Sequence, residues 1–146
     1  LMTEYAFIGQ EVPDFKETNM KGEEFSLSRH KGKIIVLWFF KARHSMSDTE
    51  HAFLKKMAEA FEGKEVVILG VSLDSSPKEL QFFVEERQIP WPVHFDGKGF
   101  DGKLAKHCSV RELPWLTVLD RSGRARFFNV GGRELRFAVQ KLLDEK

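Results

Sequence analysis

The 146-residue chain has one cysteine, Cys108. One thiol makes no intramolecular disulfide, no C-x-x-C redox pair and no cysteine-rich zinc site. Charge of one sign is missing as well. Twenty-three Lys and Arg stand against 22 Asp and Glu, a formal net charge of +1, so the total charge does not draw the chain to nucleic acid or to an anionic membrane. No apolar run approaches the roughly 18–20 residues that cross a bilayer. The longest are 34–40 and 66–71, and no membrane span is expected. Internal repeats, linkers and low-complexity segments are absent too. The start Leu1-Met2-Thr3-Glu4 lacks the basic and apolar regions of a signal peptide. Residues 1–11 read as an N-terminal extension or a cloning scar, which leaves room for a removed export signal, and 12–146 read as a single domain. Apolar material is plentiful: 42% of residues are hydrophobic, with 14 Phe and 3 Trp, enough to offset chain entropy around one core.

Periodicity gives the order of elements. Residues 15–18 and 24–27 flank Asn19-Met20-Lys21-Gly22 as a hairpin with a glycine-containing turn. Ser28 is placed to cap a brief helical turn ending at Gly32. Ile34-Ile35-Val36-Leu37-Trp38-Phe39-Phe40 is apolar without alternation, the pattern of a strand covered on both faces. From Ser47 the period changes: Phe53, Leu54, Met57, Ala58 and Phe61 recur at helical spacing, and Gly63 stops the helix. Residues 66–73 form a second buried strand, so a parallel strand-helix-strand unit is expected. Ser75 or Ser76 with Pro77 and Glu79 starts a helix running to about Gln88. Pro90 and Pro92 reduce 89–95 to a short or edge strand, and 101–107 is a short helix. Strands at 116–119 and 125–130 flank the turn Asp120-Arg121-Ser122-Gly123, and an amphipathic helix over 133–143 follows Gly131-Gly132.

Several local sequences stand in this order: Val12-Pro13-Asp14-Phe15, Lys31-Gly32-Lys33-Ile34-Ile35-Val36, Gly70-Val71-Ser72-Leu73-Asp74, Val110-Arg111-Glu112-Leu113-Pro114, and Thr117-Val118-Leu119-Asp120-Arg121-Ser122-Gly123. Together they resemble the thioredoxin-like fold and, within it, the TlpA/ResA-like thiol-disulfide oxidoreductases of the AhpC/TSA and redoxin group. The resemblance covers nearly the whole chain from Val12. It implies an α/β domain with a central mixed β-sheet flanked by helices on both faces, extended by an N-terminal β-hairpin. It also implies a bacterial cell-envelope or periplasmic setting, with an export signal removed.

In that family the strand matching 34–40 leads to W-C-x-x-C at a helix N-terminus, whose unpaired N–H groups and dipole stabilise a thiolate. One cysteine attacks a disulfide and the other resolves the mixed disulfide. Here the stretch reads Arg43-His44-Ser45-Met46-Ser47, with His44 at the nucleophilic position and Ser47 at the resolving one. A peroxiredoxin-like alignment on Phe40-Lys41 and Ser47-Asp48-Thr49-Glu50 instead puts Ser47 at the peroxidatic cysteine. Neither imidazole nor a serine hydroxyl performs these reactions. The leading expectation is therefore a thioredoxin-like binding or assembly module lacking both redox cysteines. Its protein or peptide partner would sit in the former active-site groove, on Arg43, Ser45, Met46, Leu113, Pro114 and Trp115. The alternative is a thiol-disulfide oxidoreductase or peroxiredoxin-like protein with altered or residual activity, through Cys108 or through a cysteine native to position 47.

Each site residue has a second reading. Pro114 resembles the family's cis-proline, beside which an extended substrate segment pairs with backbone. Trp115 after it either remodels that groove or fills space. His44 and His51, seven apart, lack a further ligand at metal-binding spacing, so neither a metal nor a cofactor is assigned. His44 could serve Ser45 or Ser47 as a base, but no nucleophile elbow or orienting acid accompanies it. Cys108 is either a small buried hydrophobe or a reactive thiol tuned by Lys106, His107 and Arg111. Eight basic residues against three acidic ones between Lys103 and Arg136 read as a solvated face rather than a nucleic-acid site.

Overall fold

In the computed structural model, which describes residues 9, 11, 12, 15–19, 21–44, 46–113, 115–128 and 131–145, strand β3 (Ile34–Phe40) is buried at every position. Its unbroken apolar run places it at the centre of a five-stranded sheet. The other elements are β1 (Lys16–Thr18), β2 (Glu24–Ser26), α1 (Ser47–Ala60), β4 (Val66–Ser72), α2 (Pro77–Glu86), β5 (Val93–Phe95), α3 (Lys103–His107), β6 (Trp115–Leu119), β7 (Ala125–Phe128) and α4 (Gly132–Asp144). The sheet order is β5-β4-β3-β6-β7, with β1-β2 as a separate antiparallel hairpin. β3 runs parallel to β4, with Ile34 opposite Val66, and antiparallel to β6, with Phe39 opposite Trp115.

The two-residue period of β3 divides the core. Ile35, Leu37 and Phe39 point to one face with Leu69, Val71, Trp115 and Leu119, where Phe15 and Phe25 of the hairpin region and Leu104 and Ala105 of α3 cover them. Ile34, Val36, Trp38 and Phe40 point to the other, beneath Leu54 and Met57 of α1, Leu80 and Phe83 of α2, and Leu135 and Val139 of α4. Aromatic packing is dense on the second face. The Trp38 and Phe40 rings stack at 4.1 Å and Trp91 meets Trp38 edge-on at 5.8 Å. Gly70 makes this possible, since a Cβ there would lie 3.1 Å from Val93 Cγ2 and 3.3 Å from Phe40 Cε1.

The local signals place most boundaries. Ser76 caps α2 by accepting from the Glu79 N–H at 3.3 Å, with Pro77 in the first helical turn. The expected edge strand is β5, paired with β4 through Val93, His94 and Phe95, with a single antiparallel bridge from His94 to Asn19 on its outer side. Ser28 differs from expectation. Leu27 occupies the cap position of a 3-10 turn over Ser28–His30, and the Ser28 hydroxyl meets that of Ser26 at 2.8 Å. Among the described residues, no helix is long and apolar enough to cross a membrane.

Candidate functional site

The loop between β3 and α1 is held from below by the end of β4. Asp74 is buried, and its two carboxylate oxygens accept from the Ala42 N–H at 3.0 and 3.2 Å. The Ser72 hydroxyl donates to the same carboxylate at 2.7 Å. Within the loop, His44 N–H donates to the Lys41 carbonyl at 3.1 Å and Ser47 N–H to the His44 carbonyl at 3.0 Å. Ser47 opens α1 and is 1% exposed. Its hydroxyl donates to the Lys41 carbonyl at 2.5 Å, so that proton closes the loop instead of meeting a base. Met46 N–H donates to His44 Nδ1 at 3.2 Å, so that nitrogen acts as an acceptor within the loop. The Ser47 hydroxyl is therefore not paired with His44, and Ser45 lies outside the described residues. The His51 ring lies separately, with Nδ1 3.3 Å from the Ser47 carbonyl and an edge-on contact with Phe83 at 6.0 Å.

Two carboxylates flank the loop. Glu50 is half-buried and accepts from Trp38 Nε1 at 3.1 Å. Burial raises its pKa, partly opposed by the Trp38 hydrogen bond. Asp48 accepts a two-pronged contact from Arg87 at 2.7 and 3.2 Å, and that hydrogen bonding holds its carboxyl below the usual range. The Arg87 guanidinium lies 4.9 Å from the centre of the Phe83 ring.

Around this framework the surface is apolar and cationic. The Arg43 side chain is 82% exposed and 3.4 Å from Glu79, Met46 is 42% exposed, and Lys41 Nζ lies 5.9 Å from the Phe100 ring centre. Between the loop and α2 lies a cleft of about 350 Å³ lined by Ala42, Arg43, Lys78, Glu79, Phe82, Phe83 and Arg87. Phe82 on its rim is 64% exposed. Of the four exposed large hydrophobic residues among those described, Met46, Phe82 and Phe100 adjoin this loop and Phe137 belongs to α4.

The expected contact residues divide. Arg43 and Met46 are exposed together and Leu113 is half-buried, while Ser45 and Pro114 lie outside the described residues. Trp115 is corrected: it is 2% exposed, stacks on Phe128 at 5.7 Å and packs on the sheet face opposite α1, where it fills the core and offers no groove surface. The reactive-thiol reading of Cys108 is corrected as well. The residue is 1% exposed, and burial pushes its thiol up to about 12, so at neutral pH it is a protonated, enclosed small hydrophobe. In the basic stretch, Arg121 pairs with Glu65 at 2.9 Å and Arg126 with Asp120 and Glu145 at 3.2 and 2.7 Å. No local pattern singles out Phe82 or Phe100 as site residues. Asp74 and Glu50 carried only weak signals, as the acidic ends of the motifs at 70–74 and 47–50.

A four-helix, mixed-sheet domain whose central strand delivers an exposed loop to a helix N-terminus is a thioredoxin-like domain. The AhpC/TSA family model matches residues 8–127, and the chain belongs to that family. It is similar to the thiol-disulfide oxidoreductase ResA of Bacillus thuringiensis subsp. konkukian, 27% identical over 117 residues, which are 80% of this chain and 66% of the relative. It is also similar to the peroxiredoxin Bcp of Bacillus subtilis, 36% identical over 107 residues, 73% of this chain and 66% of that protein. The chain thus spans just under two thirds of the length of these relatives. Among solved structures, the thioredoxin domain of a Bacteroides vulgatus thiol-disulfide oxidoreductase superposes with a TM-score of 0.84 at 25% identity, covering 94% of this chain and 98% of that one.

Proposed function

We propose that this domain, taken as residues 12–146, is a binding or assembly module on a thioredoxin-like scaffold, without thiol-disulfide exchange or peroxidase activity. One observation carries the reading: the loop-to-helix junction is intact, yet none of residues 41–50 is a cysteine and the Ser47 hydroxyl is committed to the Lys41 carbonyl. This holds in either family alignment, since both reactions need a thiolate at that junction. What the junction still offers is a surface, on which Arg43 and Met46 are the exposed loop residues and Leu113 the half-buried one. The partner is a protein or peptide segment laid across that surface.

The test is site-specific photo-crosslinking in the source cell, with a benzophenone amino acid at Met46 or, as a control, at Phe137, which is 70% exposed on α4. A discrete adduct from position 46 and none from 137 is the expected result. Adducts from 137 alone would contradict the reading.

A further inference from the structure

We infer that the partner segment is acidic and carries an apolar anchor, and that it docks in the cleft on the α2 side of the loop. This inference rests on the binding role proposed above and narrows it to one partner chemistry and one side of the loop.

The lining residues decide the chemistry. Three cations, Arg43, Lys78 and Arg87, face one carboxylate, Glu79. Arg87 is already engaged by Asp48 through two hydrogen bonds and lies against Phe83, so it forms a fixed wall. Arg43 is different: its side chain is 82% exposed, and it pairs with Glu79 at 3.4 Å, whose own side chain is 39% exposed. An exposed pair of this kind contributes little to folding, and an incoming carboxylate exchanges with Glu79 at small cost. Lys78 adds a second charge one residue before Glu79 on α2. A basic ligand would meet this surplus unfavourably.

The apolar half comes from Phe82, which stands 64% exposed at the rim while its neighbour Phe83 is buried beneath. A large ring held in water beside a cleft gains by being covered, and its flat face suits a Phe, Trp or Leu side chain. At about 350 Å³ the cleft holds one such side chain, with the flanking carboxylates reaching Arg43 and Lys78. An anchor enclosed by apolar contact and ringed by charge pairs is the common anatomy of a small recognition site.

The experiment is selection of a random peptide display library on the purified chain, followed by anisotropy measurements on the synthesised winners. The expected winners place Asp or Glu beside Phe, Trp or Leu. Their affinity should fall at least about fivefold for each of Arg43→Glu and Lys78→Glu, fall for Phe82→Ser, and weaken as salt rises. All three side chains are exposed, so circular dichroism should show the variants folded. Winners that are neutral or basic, winners indifferent to these substitutions, or no enrichment at all would overturn the inference. Winners lost on Met46→Glu but unaffected by Phe82→Ser and Arg43→Glu would overturn it while leaving the broader binding role standing. That role falls separately, through the crosslinking at position 46.

Discussion

The loop ahead of α1 and the turn after α3 are the two places that bear on thiol chemistry, and each lacks what the other has. The loop has the setting: an exposed junction at the start of a 14-residue helix, with the Met46 N–H already aimed at the side chain of residue 44 at 3.2 Å. It has no sulfur. The turn after α3 has the sulfur, but Cys108 is 1% exposed and burial drives its thiol to about 12. Reactivity needs the group and its surroundings together, and here they are on different elements and different faces of the sheet.

The largest expected effect comes from reuniting them. The double variant His44→Cys/Ser47→Cys should accelerate insulin-disulfide reduction by dithiothreitol about a hundredfold over the unmodified chain, because the helix start and the Met46 donor lower the pKa of a thiol placed there. Either single variant should not. A double variant that folds and stays inactive would show that the loop has lost the setting as well as the sulfur. Next in size is Asp74→Ala, which strips the Ala42 N–H and the Ser72 hydroxyl of their shared acceptor. Urea unfolding should show a loss of about 1–3 kcal/mol.

On the Cys108 side, Cys108→Ser buries a hydroxyl in an apolar cluster and should cost about 1–2 kcal/mol, more than Cys108→Ala. Iodoacetamide should label the unfolded chain and leave the native one unmodified. Rapid labelling of the native protein would erase the contrast between the two regions.

A pH effect should be smaller and confined to the hairpin side. His94 is buried on β5, 4.8 Å from the Phe15 ring and 5.4 Å from Phe25. Burial lowers its pKa below the ordinary 6.5, against opposing contributions from the Thr18 backbone, Asp96 and Glu17. The unfolded chain then binds the proton more readily than the folded one. The stability tied to neutral His94 is complete above about pH 6.5 and declines as the pH falls below it. His30 shifts in the same direction, through burial and then Lys33 and Arg29. Urea midpoints between pH 7 and 5 should therefore fall less steeply in His94→Phe than in the parent chain. Smallest of all on folding is Phe82→Ser, within about 0.5 kcal/mol as for exposed positions generally, although it removes the proposed anchor contact.

Sequence periodicity carried the scaffold because burial is local in strands and helices. The apolar run of β3 and the 3.6-residue spacing of α1 describe their own surroundings. Trp115 was ambiguous for a different reason. As the first residue of β6 its facing depends on the pairing with Phe39, which no local pattern encodes. Cys108 carried a weaker clue. Leu104 and Cys108 are four apart, on the side of α3 that turns inward, while Lys106 and His107 turn outward, so the basic neighbours that suggested a thiolate face solvent. Asp74 reaches Ala42 across 32 positions of sequence, and that contact exists only once β3 and β4 are side by side.

On the proposed function, the family's scaffold persists here without its thiol reaction. Insulin-disulfide turnover with dithiothreitol tests it most directly on the unmodified chain. The expected rate equals that of dithiothreitol alone at every protein concentration. A rate rising in proportion to the protein would contradict it.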